Sequence, residues 1–178
     1  MMRTSCLAVA LLTTTGLVAQ YTATVKTSVT KLDSSPWSKW SDQVCSINYP
    51  AGWTSEGSGV NDRMAAFQAP ADSSGRWTER VELYRRAAGG AGIEAHGEQA
   101  AADVQGSFNA VKLLGSSLAD DTHTIEFTAE SNGRPLHVKQ ERRVLGDHLW
   151  VLSYLADPAF FDESLFMADA MFASFAVK

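Results

Sequence analysis

The chain reads as an α+β protein, an antiparallel β-sheet flanked by helices, and three stretches predict this. "THTIEFTAESNGRPLHVKQERRV" (122–144) is a pair of alternating strands around Asn132-Gly133. "HLWVLSYLA" (148–156) is apolar on both faces, the pattern of a central strand covered on each side. After Asp157-Pro158, the residues Phe161, Leu165, Ala168, Phe172 and Phe175 recur at three- and four-residue steps, as on one face of a helix. The 178 residues suffice for one domain, and 45% hydrophobic against 20% charged residues is globular composition. A net charge of −5 disfavours general attraction to nucleic acid or to an anionic membrane.

The first elements are read in chain order. Arg3 followed by the apolar run "CLAVALL" (6–12) and by small residues up to Ala19 has the layout of a secretory signal peptide cleaved after Ala19. Residues 1–19 are therefore expected to be a signal, 20–42 an N-terminal extended segment and 43–178 a single domain, placed outside the cell or in the periplasm. The apolar run is too short to span a bilayer, and no later segment is expected to do so. Cys6 precedes the apolar run, where a lipoprotein cysteine would follow it, so no lipid anchor is expected. The mature chain keeps only Cys45, read as a buried, inert thiol on a strand. "YTATVKTSVTKL" (21–32) is a first strand or an extended arm, and residues 33–42, which end in "PWSKWSD", are turn-rich. Trp37 and Trp40, three apart, are expected to share a helical turn or cap a core edge.

"VCSINYP" (44–50) and "RMAAFQA" (63–69) read as strands around the loop "SEGSGVND". In "WTERVELYRR" (77–86), Trp77, Val81 and Leu83 are expected on one face and Arg80, Glu82 and Tyr84 on the other. "IEAHGEQAAADVQGSF" (93–108) is a helix that Gly97 should weaken by about 1 kcal/mol. Asn132-Gly133 suits a two-residue turn with positive φ at both positions. That turn pairs Ala129 with Leu136, Phe127 with Val138 and Ile125 with Gln140, with Thr128–His137 and Glu126–Lys139 on the other face. A one-residue slip would send each apolar set to the wrong side. Pro135 then stands opposite Glu130 in a non-hydrogen-bonded pair, where its missing N–H costs nothing. Gly146-Asp147 makes the next turn, setting Tyr154 beside Lys139 and Trp150 beside Arg143. Asp157 is expected to cap the closing helix, with Pro158 in its first turn.

The strand that ends in "INYPAGWT" (47–54) resembles the opening of the PsbP-like family, which includes extrinsic proteins of photosystem II and DcrB-like bacterial envelope proteins. In that family an early strand runs into a Pro-x-x-Trp corner, often with an aromatic before it. Tyr49, Pro50 and Trp53 hold those positions here, and Ser174-Phe175 matches the "SF" that ends the closing helix. The resemblance covers about residues 43–177 and implies an α/β/α sandwich. Read physically, Pro50 ends the strand, while Tyr49 and Trp53 clamp the corner onto the core. The leader resembles one secretory signal, unlike the transit peptides of plant photosystem members, and this argues against a photosynthetic role.

The resemblance implies a binding or assembly module without a shared catalytic centre, so no catalytic residue, cofactor or metal is expected. The residues agree. The four histidines are scattered, no G-x-S-x-G or phosphate-binding pattern occurs, and "DDTH" (120–123) reads as a solvated turn before a strand. His137, Lys139, Arg143, Trp150 and Tyr154 make a possible recognition surface; against it stands a helix covering that face, with the basic side chains along its rim. The function expected first is an exported module that binds a protein partner in the envelope or extracellular space. The alternatives are a secreted hydrolase whose site forms only in three dimensions, or a carrier of small apolar ligands near Trp37, Trp40 or Trp53.

Overall fold

The computed structural model describes residues 37–57, 59 and 61–178. The expected signal (1–19) and the alternating stretch 21–32 lie outside the described residues. In chain order the elements are β1 (Trp37–Ser41), β2 (Cys45–Pro50), β3 (Thr54–Gly57), β4 (Arg63–Gln68), β5 (Glu79–Ala87) and α1 (Ile93–Ser107). Then follow β6 (Asn109–Ala119), β7 (Thr122–Ser131), β8 (Arg134–Leu145), β9 (His148–Ala156), α2 (Phe161–Ser174) and β10 (Ala176–Val177). Seven strands form one antiparallel sheet in the order β3-β4-β5-β9-β8-β7-β6, and β1-β2-β10 form a smaller one. This is the predicted α+β class.

The β7–β8 register is the one derived from Asn132-Gly133: Phe127 faces Val138, Ala129 faces Leu136, Ile125 faces Gln140, and Pro135 faces Glu130. Asn132 and Gly133 both have positive φ, 53° and 73°, as the turn requires. Apolar side chains on one face of this hairpin, Ile125, Phe127, Ala129, Leu136 and Val138, meet Ala100 and Val104 of α1 in one core cluster. The other face of the large sheet carries the larger cluster. There Phe67, Val81, Leu83, Trp150, Leu152 and Tyr154 pack against Phe161, Met171 and Phe172 of α2 and against Cys45 and Ile47 of β2. Each fully buried Leu or Phe contributes about 1.5–3 kcal/mol. Strand β9 is thus buried on both faces, Ser153 included, as its largely apolar run predicted.

Several expectations are corrected. Residues 37–41, expected within an extended segment before the domain, form β1, paired with β2 from Trp37↔Pro50 to Ser41↔Ser46. In a strand a spacing of three puts side chains on opposite faces. Trp40 therefore meets Phe67 edge-on at 6.2 Å, while Trp37 is exposed. The stretch expected to be a loop between the 44–50 and 63–69 strands contains β3, which pairs with β4, while β2 joins β1 and β10. Trp77 precedes the start of β5 at Glu79 and escapes its alternation, so it packs on the α1-side cluster with the Arg134 guanidinium 4.2 Å above its ring. Asp157 caps a tight turn and not the helix: its Oδ1 accepts the Ala159 N–H (3.1 Å), and α2 begins at Phe161. Strand β6 was not anticipated at all.

Gly97 has a packing reason to be in α1. A Cβ there would stand 2.7 Å from Cδ2 of His123 on β7. The buried His123 ring cannot easily yield, because its Nε2 shares a 2.9 Å hydrogen bond with Ser116 Oγ on β6. Gly97→Ala gains about 1 kcal/mol in helix propensity and loses about 1–3 kcal/mol to overpacking. In urea unfolding the substitution should therefore destabilise the chain, and in a His123→Ala background it should stabilise it.

Candidate functional site

The opening corner is built as the sequence suggested. The Trp53 N–H donates to the Pro50 carbonyl (2.9 Å) and closes the turn. Trp53 is buried in the larger cluster, and the Tyr49 ring lies 5.0 Å from that of Phe67. This corner is structural. Beside it, Asp42 Oδ1 accepts the N–H groups of Val44 and Cys45, both at 2.8 Å. Against the opposing effect of burial, these donors hold the Asp42 carboxyl below its ordinary value. The Cys45 thiol is fully buried and pushed up to about 12, first by burial and then by the Asp42 charge. It stays a thiol at physiological pH, so it lacks the thiolate that a nucleophile needs.

The five residues of the possible recognition surface do not form an exposed patch. Lys139 faces Tyr154 and Arg143 faces Trp150 in the derived register, but both aromatics are buried, at 0% and 1% exposure. The reason is α2, which covers this face. Tyr154 packs on Phe161 at 5.2 Å and Trp150 on Phe175 at 5.1 Å. His137 stacks on Phe161 with ring centroids 3.4 Å apart, and its Nε2 lies 2.7 Å from Glu126 Oε1. Lys139 reaches Asp169 of α2 at 2.6 Å, and Arg143 pairs with Glu141 at 2.6 Å. The cation near Trp150 is Arg85, 5.6 Å from the ring centroid. The basic groups line the rim of a covered face.

The "DDTH" stretch likewise does not converge. Ala119 pairs with Thr122, so Asp120 and Asp121 form a two-residue turn, while His123 binds Ser116. Burial, and next the Arg142 charge, lower the His123 pKa and keep its ring neutral. Among the described residues no three His, Cys, Asp or Glu side chains are grouped as metal ligands.

What the sequence reading missed is a cleft on the opposite face. Helix α1 covers the β7–β8 side of the large sheet, and beside it on the same face residues of β4, β5, β8 and β9 line a cavity of about 460 Å³. The alternation of β5 points Arg80, Glu82 and Tyr84 into it, as predicted for that face; Arg63 enters from β4, and Gln140 and Arg142 from β8. One carboxylate organises one wall. Glu82 Oε1 lies 3.0 Å from Arg63 Nη1 and 2.9 Å from Arg80 Nε, and Tyr84 donates its hydroxyl to Glu82 Oε2 at 2.5 Å. Burial, and then the Glu82 charge, push the Tyr84 pKa up. On the other wall Arg142, only 3% exposed, donates to Asp103 of α1 (2.7 Å) and to Gln140 (3.3 Å). Ser153, on β9, is buried with its hydroxyl lacking a protein partner. A signal was present in the sequence: Arg142 shares the inward hairpin face with Ile125 and Phe127, and a guanidinium there needs an acidic partner.

No protein-family model and no curated protein matches the chain in sequence. Solved structures do match in shape. The solution structure of cyanobacterial PsbP (CyanoP) from Synechocystis aligns with a TM-score of 0.58 at 14% identity, over 80% of this chain and 92% of that one. LpqN of Mycobacterium tuberculosis, described as involved in cell envelope biogenesis, aligns at 0.56 and 14% identity over 82% and 87% of the two chains. PA94 of Pseudomonas aeruginosa, a protein of unknown function, aligns at 0.51 and 13% identity over 72% and 88%. Identities this low speak to architecture only. With its hairpin register, its Pro-x-x-Trp corner and a helix on each face of the large sheet, the chain has the PsbP-like fold.

Proposed function

We propose that the chain is an exported, non-catalytic binding module of PsbP-like type that docks on a protein partner in the envelope or extracellular space through the outer edge of β6. The observation that carries this reading is the edge itself. Strand β6 is eleven residues long, ends the large sheet, and has no neighbour on its outer side among the described residues. Edges left open in solution are usually guarded by charge or kept short. This one carries a single charge, Lys112, and exposes Leu113, Leu114 and Leu118 at 41%, 48% and 45%. An added strand would pair with the outer backbone groups of β6, which have no strand partner among the described residues, and cover those leucines. The leader-like first nineteen residues support export, and the shared architecture with LpqN supports an envelope setting by analogy. The cleft supports binding over proton transfer, because guanidinium groups hold both of its carboxylates in ion pairs.

The test is photo-crosslinking from position 114 of the chain exported in its native host. One envelope or secreted protein should be captured, and Leu113→Lys with Leu118→Lys should abolish the capture. Undiminished capture by the lysine variant overturns the docking edge. Turnover of substrates in a hydrolase screen, lost on changing a cleft residue, overturns the non-catalytic reading.

A further inference from the structure

The cleft of about 460 Å³ beside α1 has chemistry of its own, separate from the β6 edge. Its size falls within the about 300–1,000 Å³ typical of sites for small organic molecules. Its charges do not cancel. Arg63, Arg80 and Arg142 face two carboxylates, Glu82 and Asp103, while Arg86 at the mouth pairs with Asp62 at 3.6 Å. Glu82 is shared by two guanidiniums, so one positive charge on that wall is left uncompensated. Both arginines are held in place: Arg63 and Arg80 side chains are only 25% and 19% exposed and are fixed through the same carboxylate. Anion recognition by groups already oriented costs little reorganisation. The rest of the lining mixes polar groups such as Ser107, Asn132 and Ser153 with apolar ones, Trp77 and Phe108 together with Val151 and Leu155 of β9.

We propose that this cleft binds a singly charged organic anion on a flat apolar body, the anion meeting Arg63 and Arg80 and the body lying beside Phe108 and Trp77. The single uncompensated charge selects a carboxylate or sulfonate over a dianion such as phosphate. Guanidinium donors match the planar geometry of a carboxylate. The proposal is independent of docking at β6, and its test requires no protein partner.

The probes are 2-naphthoate, its neutral isostere 2-naphthamide, and inorganic phosphate, titrated into the whole mature chain by calorimetry. Naphthoate should bind at least about tenfold tighter than the amide, and phosphate should not compete. Amide chemical-shift changes should centre on Tyr84, Phe108 and Ser153. Arg80→Met removes the excess charge, so acid and amide should then bind alike, whereas Arg85→Met on the opposite sheet face should keep the discrimination. Equal binding of acid and amide, no binding of naphthoate, or shift changes centred on β6 each overturn the site in the unmodified chain. Discrimination that survives Arg80→Met in a folded variant overturns the role given to that wall.

Discussion

Trp53→Ala should lower the unfolding free energy by about 3–5 kcal/mol, the range for truncating a buried aromatic. That is a large part of the about 5–15 kcal/mol that holds a domain of this size together. The reason is positional. Trp53 sits after the Pro50 turn with 8% exposure, in the same cluster as Phe67, Cys45 and Ile47, and so joins the small sheet to the large one. Its neighbour Tyr49 makes a different contribution: its hydroxyl accepts only a 3.3 Å bond from Ser55 at the surface. Tyr49→Phe keeps the ring on Phe67 and should cost less than about 0.5 kcal/mol. Urea unfolding of both variants checks the contrast. A loss under about 1 kcal/mol for Trp53→Ala would show that the corner is not part of the core.

The second large effect is expected at Asp103. Its partner Arg142 has a side chain only 4% exposed, whereas Asp103 is 32% exposed. Removing the carboxylate strands a buried guanidinium whose remaining acceptor is Gln140 at 3.3 Å. Asp103→Ala should therefore cost about 2–3 kcal/mol, below the full penalty of a wholly buried pair because Asp103 is partly hydrated. Arg142→Met should cost less, since the freed carboxylate can return to water. The double variant Asp103→Leu/Arg142→Met should approach the parent, because replacing both ions removes the desolvation cost with them. A double-mutant cycle in unfolding free energy tests this, and strict additivity would show that the pair is uncoupled.

These two sites also show what was readable in advance. The hairpins were legible because two-residue turns fix pairing locally, Asn132-Gly133 with positive φ at both positions and Gly146-Asp147 with positive φ at Gly146, and alternation then decides every partner from Thr122 to Leu145. Strand β6 was not, because "NAVKLLGSSLA" does not alternate: register shifts between Asn109 and Lys112 and between Leu113 and Gly115 break its period, and its backbone is ordered by pairing with β7. Residues 37–41 were unreadable for a related reason, since a five-residue strand with Trp37 outward and Trp40 inward gives too short a pattern. In the cleft, the β5 triad Arg80, Glu82 and Tyr84 was visible from periodicity alone. Arg63 and Asp103 were not, because they arrive from elements 17 and 23 residues away from Arg80, and no local spacing relates them to it. Whether the hairpin face of Lys139, Arg143, Trp150 and Tyr154 meets water was not readable, because periodicity says which side chains share a face and only α2's docking shows that the two aromatics are buried.

The two residues of β10 have a consequence for the order in which the chain matures. Val177 and Ala176 pair with Cys45 and Ser46, and the Lys178 N–H donates to Val44 O (2.9 Å). One side of β2 therefore waits, unzipped, until almost the whole described chain has been synthesised. A chain truncated before residue 176 would keep every strand of the large sheet but lack one strand of the small one. Such a late-fastening clasp makes the small sheet the last part of the described fold to close.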